Sequence, residues 1–109
     1  MEKLKTAYLL EDIKELIKND NWYPTGTAQQ GAYQLGLSRY DIKRIVLKLM
    51  PKDFYKSMTS YDNPQLWQDV YYKEIEKNGE MLNLYIKLQI KQEGGSCAVV
   101  ISFKKNDNQ

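Results

Sequence analysis

Lysine, tyrosine and glutamine side chains recur in the second half of this chain at spacings that a β-sheet would collect on one face. Residues 82–91 alternate: Leu82, Leu84, Ile86, Leu88 and Ile90 fall on one side, Asn83, Tyr85, Lys87, Gln89 and Lys91 on the other. That is the pattern of an antiparallel strand that is dry on one face and wet on the other. Gly94-Gly95 supplies a turn into a further strand over 97–104, and turn chemistry fixes register. With the two glycines central, Glu93 faces Ser96, Lys87 faces Ser102 and Tyr85 faces Lys104. The other parity pairs Ile90 with Val99, Leu88 with Ile101 and Ile86 with Phe103, all apolar. Asn78-Gly79 is a strong hairpin signal; it sets Tyr72 opposite Tyr85, Val70 opposite Lys87 and Gln68 opposite Gln89. Lys56 joins this face if the loop at 62–64 keeps simple alternation, whereas Tyr55 and Tyr61 have the opposite parity and suit the core equally well.

The face so assembled carries Lys56, Gln68, Tyr72, Tyr85, Lys87 and Lys104. One reading is a solvated sheet face, on which such residues are commonplace. The other is a groove for single-stranded RNA, with ammonium groups on phosphates and rings on bases. Ideal register leaves Gln68 roughly 13 Å along the strand from the level of Tyr85, so a single tight site requires twist or a bulge. The chain has no histidine. That excludes a Ser-His-Asp triad, a Cys-His pair and a nuclease built on paired histidines, and leaves proton transfer to Lys, Tyr, Asp or Glu. Acidic residues are scattered without ligand spacing and the one cysteine cannot replace histidine at zinc, so no metal and no cofactor is expected. Cys97 opens the run Cys97, Val99, Ile101, Phe103 and reads as a buried structural thiol.

These residues need elements to position them. A length of 109 residues suits one domain over 1–109, and 42% hydrophobic with 28% charged residues is ordinary for a globular protein. The net charge of +2 announces no partner. No apolar run is long enough to span a bilayer and no signal peptide opens the chain, so a cytoplasmic protein without a membrane role is expected. Residues 6–18 read as a helix with the stripe Leu9, Ile13, Leu16 and Ile17. Trp22-Tyr23 before Pro24 suits a short extended piece. Thr27 is placed to cap a second helix with Ala28, Ala32 and Leu35 inward, ended by Gly36. Ser38 and Asp41 form a capping-box opening to a third, with the stripe Ile42, Ile45, Val46 and Leu49, and Pro51 ends it. Strands over 54–61, 66–76, 81–91 and 97–104 complete an α+β fold: N-terminal helices packed on a C-terminal antiparallel meander.

The segment Asp53-Phe54-Tyr55-Lys56-Ser57-Met58-Thr59-Ser60-Tyr61, then Leu66-Trp67-Gln68-Asp69-Val70-Tyr71, resembles the MqsR family, the motility quorum-sensing regulator toxins. The likeness continues in Leu84-Tyr85-Ile86-Lys87, in Val100-Ile101-Ser102-Phe103-Lys104 and in Leu35-Gly36-Leu37. It implies a RelE-like fold and an mRNA interferase that cleaves messenger RNA with a preference for GCU-type triplets. It also implies a cognate antitoxin of the MqsA type, through which alone the toxin would meet DNA. The family's active-site lysine, glutamine, tyrosine and C-terminal lysine fall on Lys56, Gln68, Tyr85 and Lys104. In that chemistry the 2′-oxygen attacks the adjacent phosphorus without a metal. Lys56 and Lys104 would stabilise charge, Gln68 would orient the substrate, and Tyr85, its phenolate favoured by Lys104, would act as acid or base. Lys87, Tyr55 and Tyr61 would hold RNA. The Lys77-Asn78-Gly79-Glu80 hairpin and a polar tail, Asn106-Asp107-Asn108-Gln109, depart from the family pattern.

Two rivals follow from the same residues. Gln29 to Ile45 can be read as a helix-turn-helix of a DNA-binding regulator, with Arg39, Tyr40, Lys43, Arg44 and Lys48 towards the groove; the competing reading is an αα-hairpin covering the sheet. A RelE-like protein that binds RNA or an antitoxin without cleaving is the other.

Overall fold

Among residues 1–107, which the computed structural model describes, three α-helices pack on a mainly antiparallel six-stranded sheet whose four long strands follow them in the chain. The meander forms as expected: β3 (Phe54–Thr59), β4 (Trp67–Lys77), β5 (Glu80–Gln92) and β6 (Ser96–Lys105) are neighbours in that order. Two short strands, β1 (Glu2–Lys3) and β2 (Trp22–Pro24), extend it at either edge. Strand β1 runs antiparallel to β3, with Glu2 opposite Met58; β2 runs parallel to β6, with Tyr23 opposite Val99. Strand β2 is the short extended piece expected at Trp22-Tyr23; β1, two residues long, shows no periodicity and was not expected.

The helices are α1 (Leu10–Lys18), α2 (Gly26–Gln34) and α3 (Arg39–Val46). Helix α1 starts four residues later than its apolar stripe suggests, because the preceding backbone has another partner. The buried Asp69 carboxylate accepts from the Ala7 N–H at 2.9 and 3.0 Å and from the Tyr8 N–H at 3.0 Å. Leu9 is therefore the cap and stands exposed instead of joining the core. The cap of α2 is Thr25, not Thr27: the Thr25 hydroxyl oxygen accepts from the Ala28 N–H at 3.0 Å and the hydroxyl donates to the Ile101 carbonyl at 2.8 Å. The second bond ties the helix start to β6, a link no local sequence rule contains. Helix α3 opens on the expected Ser38–Asp41 capping box.

The core lies between these helices and one sheet face. Ile13, Ile17, Ala28, Ala32, Ile42, Ile45, Val46 and Leu49 meet Tyr71, Leu84, Ile86, Leu88 and Phe103. Helix α2 lies close over β6: a methyl group added at Gly31 would collide with the Phe103 carbonyl oxygen and come 3.5 Å from Lys104 Cβ. The helix pair therefore covers the sheet as an αα-hairpin. Its cations are spent within the fold, since Arg39 stacks on the Trp22 ring at 4.3 Å, Lys43 pairs with Asp20 at 2.7 Å and Arg44 with Asp41 at 3.4 Å. No helix among the described residues is long and apolar enough to cross a membrane.

Two bulges set the faces. In β6, Gln92 pairs with Ser96, so the turn holds Glu93, Gly94 and Gly95, one residue more than a two-glycine turn. A register shift between Lys87 and Leu88 then adds Ile101 and restores Lys87 opposite Ser102, Ile86 opposite Phe103 and Tyr85 opposite Lys104. Between turn and bulge the expected parity is reversed. Leu88 pairs with Val100 and Ile90 with Ala98, while Val99 and the half-buried Cys97 share the face of Gln89 and Lys91. Cys97 is thus no core thiol. In β3 the shift falls between Phe54 and Lys56, leaving Tyr55 as the extra residue.

Candidate active site

The sheet face away from the helices is built from three cross-strand rows. The first holds Tyr72, Tyr85 and Lys104; the second Lys56, Val70, Lys87 and Ser102; the third Met58, Gln68, Gln89 and Val99. Val70 and Val99 lie on this face, buried but outside the core cluster between helices and sheet.

Tyr85 sits at the centre. The Lys104 ammonium lies 5.1 Å from its ring centroid and the Lys87 ammonium 5.9 Å, both within cation–π range. Its hydroxyl is 4.0 Å from the Met58 sulfur. A pocket of about 260 Å³ is lined by Tyr85, Lys104, Lys105, Asn106 and Asp107. The Asn106 N–H donates to the Asn83 carbonyl at 2.7 Å, so the tail begins docked on β5; Asn108 and Gln109 lie outside the described residues.

Tyr55 corrects the parity argument. The bulge turns its ring onto the site face, where it stacks on Tyr72 with centroids 4.3 Å apart and planes 16° from parallel. Tyr72 in turn meets Tyr85 at 6.1 Å. Tyr61 is fully exposed in the loop between β3 and β4, so the core alternative fails for it as well. The three phenols of Tyr55, Tyr72 and Tyr85 make a ladder beside the cations.

Gln68 is on the right face but not at the centre. It is buried in the third row, and its amide N–H donates to Gln89 Oε1 at 3.1 Å. The strand separation between Gln68 and Tyr85 expected from ideal register persists, roughly 13 Å along the sheet.

The electrostatics revise the expected role of Tyr85. Burial pushes its phenol pKa up, and this outweighs the opposing pull of Lys56, so the ring keeps its proton at neutral pH instead of favouring phenolate. The Lys87 ammonium is pushed down by burial, then by Lys104 and Lys56. Lys56 is held up by a hydrogen bond to Glu2.

Glu2 is the residue that sequence reasoning missed. Strand β1 brings its carboxylate to the Lys56 ammonium, Oε2 to Nζ 2.5 Å, and its own pKa is lowered by that bond. Its charge also raises the phenol of Tyr85, so it belongs electrostatically to the site. No local signal at residue 2 announces this.

The family model described as "Motility quorum-sensing regulator, toxin of MqsA" matches residues 5–105 of the chain. The protein named mRNA interferase toxin MqsR of Escherichia coli (strain K12) is 30% identical to it over 105 residues, which is 96% of this chain and 99% of that relative.

Proposed function

Since the chain belongs to the motility quorum-sensing regulator toxins, we propose that it is an endoribonuclease that cuts messenger RNA in the cytoplasm, with sequence preference and without a metal. The observation that carries this reading is the cluster of three ammonium groups, Lys56, Lys87 and Lys104, around the protonated phenol of Tyr85. In this reading charge stabilisation falls to cations of the protein itself. The whole of 1–109 acts in this reading as one RelE-like toxin domain, held in check by a cognate antitoxin of the MqsA type that alone links it to DNA.

The 2′-oxygen of RNA attacks the adjacent phosphorus, and the bond to the 5′-oxygen breaks. The products are a 2′,3′-cyclic phosphate and a free 5′-hydroxyl. Lys56, Lys87 and Lys104 offset the charge of the phosphorane. Tyr85 keeps its proton at neutral pH and sits beside the pocket, so it serves as the acid that protonates the leaving 5′-oxygen. The stacked Tyr55 and Tyr72 offer a flat platform to an unpaired base. Gln68, two rows from Tyr85, orients the nucleotide next to the scissile one. Tyr61 contacts RNA only at the rim.

Incubation of the protein with a single-stranded messenger RNA in EDTA, followed by analysis of the ends, tests this. Cleavage is expected to persist and to leave cyclic phosphate termini. Tyr85→Phe is expected to lose about 100- to 10,000-fold in rate. Cleavage abolished by EDTA, or full activity in Tyr85→Phe, contradicts the mechanism.

A further inference from the structure

Transfer of the 2′-hydroxyl proton requires an acceptor, and the groups at the centre of the site are donors. Lysine ammonium groups have no lone pair to offer. Tyr85 retains its proton and Lys56 is held in its charged form; Lys87, though lowered, serves in this reading as a cation on the phosphate. A carboxylate does reach the cluster, at the edge strand: Glu2 Oε2 lies 2.5 Å from Lys56 Nζ. Glu2 sits opposite Met58, whose sulfur is 4.0 Å from the Tyr85 hydroxyl. The Glu2 side chain is 55% exposed, so an incoming strand can touch it.

We propose that Glu2 is the general base of the reaction, taking the 2′-hydroxyl proton while Lys56 passes from the carboxylate to the scissile phosphate. This rests on the ribonuclease reading above. The step balances within the substrate and two side chains. The 2′-O–H bond breaks and its proton goes to Glu2. The 2′-O–P bond forms as the P–O5′ bond breaks, and the departing oxygen takes the Tyr85 proton. Solvent then takes the proton from Glu2 and supplies one to the Tyr85 phenolate, so no net proton is consumed.

The groups that act on Glu2 are Lys56 from β3, Tyr85 from β5 and the Met1 amino group just ahead of β1; Lys3 is turned to the Trp67 ring at 4.1 Å. In the free protein the Lys56 bond holds the carboxyl below its usual range, which makes it a weak base. A phosphate sharing Lys56 weakens that bond and adds negative charge nearby, and both effects raise the carboxyl towards working pH. Substrate binding thereby strengthens the base at the moment it is needed.

The test is Glu2→Gln in the full chain, assayed alongside the wild type. Expected is a fall in kcat of about 100-fold or more. The acidic limb of the pH profile should disappear, and binding of an RNA carrying a 2′-deoxy group at the scissile position should be unchanged or tighter. In the wild type that limb should lie at higher pH for kcat than for kcat/KM. Glu2→Asp, which keeps a carboxylate, should retain the limb at a reduced rate, and its profile decides the matter if the glutamine variant does not fold. A Glu2→Gln rate within a few-fold of the wild type, or an acidic limb unmoved by the substitution, overturns the proposal while leaving the ribonuclease reading intact. Absence of cleavage by the wild type removes both.

Discussion

Lys87 shows how one residue's surroundings change what it can contribute. It lies half-buried between two other ammonium groups, and burial with Lys104 and Lys56 lowers its pKa. A lowered lysine loses its charge on the way up to the ordinary lysine range, and a phosphate contact made by that charge weakens with it. Activity is therefore expected to fall on the alkaline side at a pH below that range. Lys87→Arg, whose guanidinium stays charged throughout, should move the alkaline limb upwards, as steady-state rates across pH 7–11 (about one point per half unit) would reveal. An unmoved limb would assign it to another group. Tyr85 and Lys87 were legible on one face from alternation, a local rule; Lys56 joined them only on the condition that the loop at 62–64 kept simple alternation, and Lys104 only because a bulge in β6 offsets a turn one residue longer than expected. Glu2 was not, since its place depends on pairing with residues 54 to 59, far along the chain.

At the level of elements, the decisive features are contacts between segments distant in sequence. Gly31 lets α2 settle on β6 directly behind Lys104. Gly31→Ala places a methyl group against the Phe103 carbonyl, a backbone atom that cannot rotate away. It should destabilise the fold by about 1–3 kcal/mol, read from urea midpoints, and should lower activity further by shifting Lys104. The four meander strands and three helices were legible because apolar period and turn signals agree. The starts of α1 and α2 were not, since Asp69 and the Ile101 carbonyl, both remote, decide them. The β6 bulge explains a subtler outcome. The turn is one residue longer than Gly94-Gly95 alone suggests, and Ile101 takes up the difference. Tyr85 and Lys104 therefore meet as a two-residue turn would have them, although Cys97 and Val99 face the other way.

At the scale of the whole molecule, the fully buried Tyr71 ties stability to alkaline pH. Tyr71 is fully inaccessible, its hydroxyl has no hydrogen-bond partner among the described residues, and burial raises its pKa to about 12. A raised folded-state value means that the protonated form stabilises the fold. That contribution is complete below pH 10 and is lost as pH climbs towards 12, at about 3 kcal/mol in all. Tyr71→Phe removes the titrating hydroxyl and its unmet hydrogen bond, so its unfolding midpoint should decline less than that of the wild type over that interval. An equal decline would place the alkaline loss elsewhere. The order of strands has a last consequence for the cell that makes this protein. Residues 2, 56, 85 and 104 come together on one face only once β6 has docked against β5. Under the proposed mechanism, a chain cut short before β6 lacks Lys104 and the strand that completes the face, and is expected to be inactive.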